Sequence, residues 1–269
     1  MDNKKHISSP QNPMVKRVLL LKEKSRERRK SGFFVLEGTR ELQLALRGGY
    51  EIETVLFYAD IISGGEVTSL LNEGNSKSEI IEISKDVYQK LAYRDTTEGL
   101  LAIAKSKPHS LDDLKLENKN PLILIAEAPE KPGNIGALLR TADAANLDAV
   151  IIANPKTDLY NPNIIRSSVG CVFTGNVALG SSTEIIKFLK ENKISIYCAA
   201  LSASQSYLQT DFTTPSAIVV GTEAEGLTEE WLLNSNQNII IPMEGQIDSM
   251  NVSVSAAILI FEAKRQRIN

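Results

Sequence analysis

Three segments in the second half of the chain combine glycine with amide, hydroxyl, carboxylate and guanidinium side chains. They are residues 132–143, 220–227 and 241–257, and each directly follows or includes an apolar run. Glycine lets a ligand approach bare backbone closely, because it carries no Cβ. Loops at strand ends are where open α/β sheets bind small ligands. The pattern therefore predicts a ligand site built from three loops of one sheet.

The elements that would hold these loops are short, mostly β-branched runs separated by helical patterns. The predicted strands are 122–125, 149–152, 194–197, 217–220 and 239–241. Continuous apolar runs of this kind fit a parallel sheet that is buried on both faces. The predicted helices are 134–145, 183–191 and 249–265. The fold class is therefore α/β, with one domain of roughly 150 residues, a common domain size.

A smaller α/β unit precedes this domain. Its predicted strands are 33–36, 52–58, 80–83 and 100–104. One helix is predicted over 37–46 and another after Ser84, a residue type favoured at N-caps. The polar, proline-containing stretch 107–120 is predicted to be a linker. The predicted organisation is a basic helical segment, a small α/β domain, a linker and a larger α/β domain, over 1–30, 31–106, 107–120 and 121–269.

Composition excludes several classes of protein. The chain has 269 residues, of which 42% are hydrophobic and 23% charged, as expected for two globular domains. No apolar run approaches the roughly 18 residues of a membrane span, and no secretory signal is visible, so we expect a cytoplasmic protein. Cys171 and Cys198 lack metal-ligand spacing, and no metal is expected. The positions of His6 and His109 disfavour a Ser-His-Asp hydrolase. Dinucleotide and P-loop fingerprints are absent.

Charge is distributed unevenly along the chain. Residues 1–30 contain ten basic and three acidic side chains, a net charge of +7, whereas the remainder carries −10. A basic segment on an acidic body suits a polyanionic partner, because Lys and Arg neutralise phosphates. The predicted phosphate contacts in this segment are Lys22, Arg26, Arg28 and Arg29. The alternative is an amphipathic helix whose apolar face, with Val18 and Leu21, packs on the body.

The three segments resemble, in order, the signature motifs of the SpoU (TrmH-like) branch of the SPOUT RNA methyltransferases. The first motif carries Asn134 and Arg140, and the second is the Gly-x-Glu-x-x-Gly run that contains Glu223. The third is a Ser-x-Asn-x-Ser run with Ser249 and Asn251. The resemblance extends over 121–266. The smaller domain is similar, less specifically, to the ribosomal-protein-like substrate-binding domain often fused to this family.

The resemblance implies a knotted C-terminal domain, a homodimer and S-adenosylmethionine as cofactor. It implies a catalytic centre made of Asn134, Arg140, Glu223, Ser249 and Asn251. The cofactor would be held by Gly221, Gly226, Ile241, Gly245 and Met250. It also favours a contact between Arg166 and RNA phosphate. The last helix, apolar along much of its length, could supply part of the dimer interface.

Arg140 is not expected to act as the base that removes the ribose proton. A guanidinium has a pKa above roughly 12 and does not deprotonate readily. We expect it to stabilise a developing alkoxide or to fix the adjacent phosphate. Glu223 is expected to organise the site rather than to act as base.

The expected activity is 2′-O-methylation of a ribose in RNA, most simply 23S-type rRNA. Two alternatives stay open, a tRNA ribose methyltransferase and a non-catalytic RNA-binding protein. Cofactor binding separates the last from the other two.

Overall fold

The computed structural model of the chain describes residues 5–74, 76–93, 98–201, 205–222, 224–247 and 249–268. These residues form two compact units. The first contains residues 1–107 and 158–174, and the second contains 108–157 and 175–269. The units differ from the predicted domains in two places. Residues 108–120, predicted as a linker, belong to the second unit, and 158–174 belong to the first.

The described residues contain twelve strands and ten α-helices. The strands are β1 (His6–Ile7), β2 (Phe33–Glu37), β3 (Ile52–Phe57), β4 (Glu79–Ile83), β5 (Leu100–Lys105), β6 (Leu122–Glu127), β7 (Ala149–Ala153), β8 (Val177–Gly180), β9 (Ser195–Ala199), β10 (Gln205–Ser206), β11 (Ser216–Val220) and β12 (Gln237–Ile240). The helices are α1 (Pro13–Glu23), α2 (Ser25–Ser31), α3 (Thr39–Arg47), α4 (Gly64–Glu73), α5 (Lys85–Leu91), α6 (Pro132–Ala144), α7 (Pro162–Ser167), α8 (Ser182–Glu191), α9 (Glu229–Asn234) and α10 (Val252–Gln266).

The first unit is built on a five-stranded mixed sheet in the order β1-β4-β3-β5-β2. The four strands predicted for this unit are confirmed as β2, β3, β4 and β5. The Ser84 side chain accepts a hydrogen bond from the Val87 amide and caps α5 as predicted. Helix α1 buries Val15, Val18 and Leu21 against the sheet, so this part of the basic segment is an amphipathic packing helix.

Segment 158–174 closes the other side of the first unit. The ring of Tyr160 stacks on Phe34 with centroids 4.2 Å apart, and Phe173 lies 5.2 Å from Tyr50. The Tyr160 hydroxyl accepts a hydrogen bond from the Lys107 amide at 2.8 Å. Burial of the Tyr160 phenol raises its pKa, and the adjacent Tyr50 raises it further. This aromatic cluster therefore joins chain segments that lie far apart in sequence.

Arg28 corrects one expectation from the sequence. Its side chain is only 4% exposed, and it makes a bidentate ion pair with Asp158 at 2.9 and 2.8 Å. It also donates to the carbonyl oxygens of Leu21 and Lys22 at 2.6 and 3.1 Å. The guanidinium is thus used within the first unit and is not offered to a polyanion. The sequence alone does not show whether a charged side chain is buried. The structural role of Arg28 becomes visible only through its ion pair with Asp158, 130 residues away.

The second unit is built on a seven-stranded sheet in the order β10-β12-β9-β11-β6-β7-β8, and every pair in it is parallel. This confirms the predicted parallel sheet, and the five predicted strands correspond to β6, β7, β9, β11 and β12. Helices α8 and α9 cover one face, where Trp231 is fully buried among Ile196, Cys198 and Val219. Burial raises the pKa of the Cys198 thiol to about 12.

The polar stretch after Lys107 is packed rather than extended away from the unit. Leu111, Leu114 and Leu116 pack against the core of the second unit. The His109 imidazole Nδ1 lies 3.0 Å from the Val177 carbonyl oxygen. In the part of the chain that the structure describes, none of the helices combines the length and the apolar run that crossing a membrane requires.

Candidate active site

A cavity of about 470 Å³ lies at the carboxyl edge of the parallel sheet in the second unit. Its floor is the ends of β9, β11 and β12, and its rim is the loops that follow them and the start of α10. The carboxyl ends of parallel strands share one edge, so these loops meet there. The strand order also reverses beside this cavity, between β6 and β11. Strands β7 and β8 lie on one side of β6, and β11 pairs with β6 on the other side. Such switch points form ligand crevices.

The loop after β11 folds back on itself at the cavity wall. Thr222 and Gly226 exchange two backbone hydrogen bonds, at 3.0 and 3.2 Å, and Gly226 has a φ of +70°. An ideal Cβ on Gly221 would lie 2.2 Å from the carbonyl carbon of Gly226 and 2.6 Å from the Leu227 amide nitrogen. Only glycine allows this close approach of two backbone segments.

A buried carboxylate anchors the chain just beyond this loop. Glu127, at the end of β6, is 2% exposed. It accepts hydrogen bonds from the Thr228 amide at 2.9 Å, from the Thr228 hydroxyl at 2.7 Å and from Ser182 Oγ at 3.3 Å. The Trp231 indole donates to the same Ser182 oxygen at 2.8 Å. Sequence reasoning missed Glu127, although an acidic residue that ends an apolar run was the available signal.

Glu127→Leu is expected to lower the free energy of unfolding by about 2 kcal/mol, because it removes the acceptor of the Thr228 amide and of the buried Ser182 hydroxyl. The Thr228 amide should then exchange its hydrogen with solvent faster than in the wild type. Denaturant unfolding and amide hydrogen exchange measure the two effects. Glu130→Leu is the matched control, since Glu130 is exposed. Equal stability of the two variants would show that Glu127 does not anchor the loop.

The amino ends of α6 and α10 meet through two asparagines. Asn251 is the N-cap of α10, and its Oδ1 accepts from the Ser253 amide at 3.0 Å and the Ser253 hydroxyl at 2.6 Å. Its Nδ2 donates to Asn134 Oδ1 at 3.2 Å. Asn134 lies in the first turn of α6, which starts at Pro132. The contact joins the first and third sequence motifs beside the residues that line the cavity, because Met250 precedes Asn251 directly.

Two family models match the chain. The SpoU rRNA Methylase family model matches residues 121–261, more than half of the chain. The chain belongs to the SpoU rRNA methylase family. The model of the MRM3-like substrate binding domain matches residues 12–102.

Relatives of the SpoU family match most of the chain. It is 28% identical over 260 residues to the 23S rRNA (guanosine(2553)-2′-O)-methyltransferase RlmP of Bacillus subtilis, covering 97% of this chain and 99% of the relative. It is 33% identical over 208 residues to the 23S rRNA (guanosine-2′-O-)-methyltransferase RlmB of Pasteurella multocida, covering 74% and 84%.

Solved structures show the same likeness. A structure described as an RNA 2′-O ribose methyltransferase superposes with a TM-score of 0.83 at 37% identity, covering 98% of this chain and 100% of the other. The SpoU methyltransferase AviRb from Streptomyces viridochromogenes, in complex with AdoMet, gives a TM-score of 0.87 at 25% identity, covering 96% and 99%.

Most of the residues predicted to hold a cofactor line the cavity at the carboxyl edge of the parallel sheet. Gly221, Gly226, Ile241 and Met250 all line it. Gly245 is exposed on the loop between β12 and α10 and is not among the described lining residues. Cofactor binding by these residues stays a prediction.

Three of the five predicted catalytic residues occupy two neighbouring places. Ser249 lines the cavity, and Asn134 and Asn251 form the contact between α6 and α10. Arg140 is exposed on α6, six residues or about 9 Å of helix beyond Asn134. It makes no hydrogen bond or ion pair with any residue that the structure describes, and it is not among the described lining residues. Glu223 lies outside the described residues.

The remaining predicted RNA contacts belong to the first unit. Arg26 and Arg29 are exposed, whereas the Lys22 ammonium donates to Glu37 at 3.3 Å and to the Leu91 carbonyl. Arg166 is exposed on α7, and its guanidinium lies 3.6 Å over the ring of Tyr93. Within the described ranges, no group of three or more His, Cys, Asp or Glu side chains could hold a metal ion.

Proposed function

We propose that this chain is an S-adenosylmethionine-dependent methyltransferase that modifies a ribose 2′-hydroxyl of 23S-type rRNA. The observation that carries the proposal is the cavity at the sheet edge, where the second and third SpoU motifs line the walls and Asn251 joins them to Asn134. Family membership and the names of the relatives support the reaction and the class of RNA.

The residues of the cavity fit this cofactor. Ile241, Met250 and Leu227 provide apolar walls for a flat base. Gly221 carries no side chain, so its backbone amide or carbonyl can hydrogen-bond to an adenine edge, whereas the amide and carbonyl of Gly226 are already paired with Thr222. When bound, S-adenosylmethionine supplies a methyl group that its sulfonium has already activated, so the protein's task is mainly positioning.

The polar residues at the rim have distinct roles in the proposed mechanism. Asn134 and Asn251 hold the ends of α6 and α10 together and orient the ribose. As the 2′-hydroxyl gives up its proton to water, negative charge develops on its oxygen, and the Arg140 guanidinium stabilises that charge or fixes the adjacent phosphate. Arg140 keeps its own proton, because a guanidinium is a very weak acid. Glu223 is proposed to organise this site.

We also propose a homodimer, a knotted second unit and a cytoplasmic location. Helix α10 supports the dimer, because Val254 and Phe261 are 48% and 53% exposed and lie two turns apart on one face. A paired α10 would remove this apolar surface from water. The likeness to solved SpoU-family structures supports the knot, and the proposed rRNA substrate supports the location.

Transfer of labelled methyl from S-adenosylmethionine to unmodified total RNA tests the proposed function. We expect label in one ribose of 23S-type rRNA, located by the resistance of a 2′-O-methylated linkage to alkaline hydrolysis. Label in tRNA alone would instead support the tRNA alternative. Failure of the wild type to bind S-adenosylmethionine in a calorimetric titration would overturn the enzyme proposal and favour a non-catalytic RNA-binding protein.

A further inference from the structure

A second cavity, of about 600 Å³, lies within the first unit. Its apolar wall is formed by Val35, Leu36 and Ile165. The lining also contains the acidic residues Glu37, Glu41 and Glu98. A cavity with one apolar wall and a few converging polar groups has the general form of a small-ligand site.

Two of these carboxylates converge above Gly38. An ideal Cβ on Gly38 would lie 2.5 Å from Glu41 Oε2 and 3.3 Å from Glu98 Oε2. Gly38 also has a φ of +110°, a backbone conformation that favours glycine here. The two acids are thus brought together by the turn that starts α3.

The two carboxylates differ in how the protein satisfies them. Glu98 accepts hydrogen bonds from the amide and hydroxyl of Thr39 and from the Arg40 amide. Burial opposes its ionisation, but these bonds outweigh burial and lower its pKa. Burial instead raises the pKa of Glu41, and the nearby Glu98 charge raises it further. Ionised Glu41 is therefore the group that a hydrogen-bond donor from a ligand would stabilise most.

A guanidinium group stacked on an aromatic ring contributes to the lining of the same cavity. The Arg166 guanidinium lies over the Tyr93 ring at 3.6 Å, and both residues contribute to the lining. Guanidinium and phenol planes are the surfaces on which unpaired RNA bases stack. The cavity thus offers a stacking surface and hydrogen-bond acceptors together.

We propose that this cavity binds one unpaired guanine of the RNA substrate, its Watson–Crick edge on the Glu41 carboxylate and its ring against the Arg166–Tyr93 stack. Guanine presents N1–H and N2–H₂ side by side, which a carboxylate can accept with both oxygens. Adenine and uracil lack two adjacent donors on that edge. The proposal rests on the proposed function in one respect, that RNA is the substrate.

Binding of short RNAs to the full chain tests this directly. The probes are fluorescent heptamers with guanosine, inosine or adenosine at the centre of an otherwise all-adenosine sequence. Inosine lacks only the exocyclic N2 amine. We expect the wild type to prefer the guanosine heptamer to the inosine heptamer by about tenfold, since the inosine edge leaves one carboxylate oxygen unpaired.

Glu41→Gln should abolish this preference, although it can strengthen overall affinity because it removes a negative charge. Glu73→Gln is the matched control, since Glu73 is exposed on α4 of the same unit, and it should keep the preference. Arg166→Ala should weaken binding of all three heptamers alike, by about tenfold, through loss of stacking.

Equal affinity of the wild type for guanosine and inosine heptamers would overturn the proposal. So would a guanosine preference that survives Glu41→Gln, or binding of an arginine-containing peptide that Glu41→Gln abolishes while the heptamers show no preference. Titration with S-adenosylmethionine keeps the two proposals apart. If the wild type did not bind S-adenosylmethionine, the proposed methyltransferase function would be contradicted. The guanine site would still be tested by the heptamer affinities alone.

Discussion

Arg140→Ala is expected to lower the rate of methyl transfer about 10³-fold and to leave the Kd for S-adenosylmethionine unchanged. The guanidinium is exposed on α6 and is not among the described residues that line the cavity, so its loss should not disturb the cofactor. It would act only on charge that develops at the ribose oxygen, and such an interaction affects turnover rather than ground-state binding. Single-turnover transfer at saturating RNA measures the effect.

Arg140→Lys separates positive charge from guanidinium geometry. Lysine keeps the charge but cannot form two parallel hydrogen bonds, so we expect only partial recovery of the rate. Lys187→Ala is the control, because it removes another exposed cation, from α8, and should leave transfer unchanged. Full activity of Arg140→Ala would remove this residue from the mechanism. Full activity of Arg140→Lys would show that charge alone is sufficient.

Gly221→Ala is expected to weaken S-adenosylmethionine binding by about 100-fold or more, because one methyl group displaces the cavity wall. All three atoms nearest to the new Cβ, at 2.2 to 2.6 Å, are backbone atoms of Gly226 and Leu227. A side chain could rotate away, but this loop is closed by its own hydrogen bonds and must shift as a whole. Isothermal titration of the cofactor, together with circular dichroism to confirm folding, measures the result.

Two other glycines control for this substitution. Gly133→Ala should be neutral, because nothing lies within 4 Å of its Cβ position and it is in the first turn of α6. Gly226→Ala also has open space, but its φ of +70° imposes strain of about 1 kcal/mol. Its effect should be intermediate. If Gly221→Ala bound the cofactor as tightly as Gly133→Ala, the close approach would not be needed for the site.

The core of each unit was predictable because short β-branched runs have few alternatives to a buried strand. Strands β6 and β11 were found in this way. Gly221 and Asn251 were instead singled out by the loops that follow apolar runs and by the resemblance to the SpoU motifs. The two-residue strands β1 and β10 were missed, because two residues are too few to show a periodic pattern. Strand β8 was missed too, because Gly180 and Asn176 give it the composition of a turn.

Long-range partnerships were beyond sequence reasoning. Arg28 reads as one more cation in a basic segment, and only its ion pair with Asp158 shows that it is structural. Leu111 and its neighbours read as a polar linker because lysine, aspartate and asparagine surround them, yet they pack on the core. In both cases the contacts are tertiary, and the local sequence pattern carries no information about them.

The late position of Asp158 and Tyr160 also constrains the order in which the protein can fold as it is synthesised. When Lys107 leaves the ribosome, Arg28 has no counter-ion and Phe34 lacks the ring that stacks on it. Those partners arrive only when the chain has been made as far as Tyr160, roughly 3 to 11 s later at typical elongation rates. Until then the nascent first unit lacks the counter-ion of Arg28 and the ring that stacks on Phe34. Both come from a segment encoded beyond two strands of the next unit.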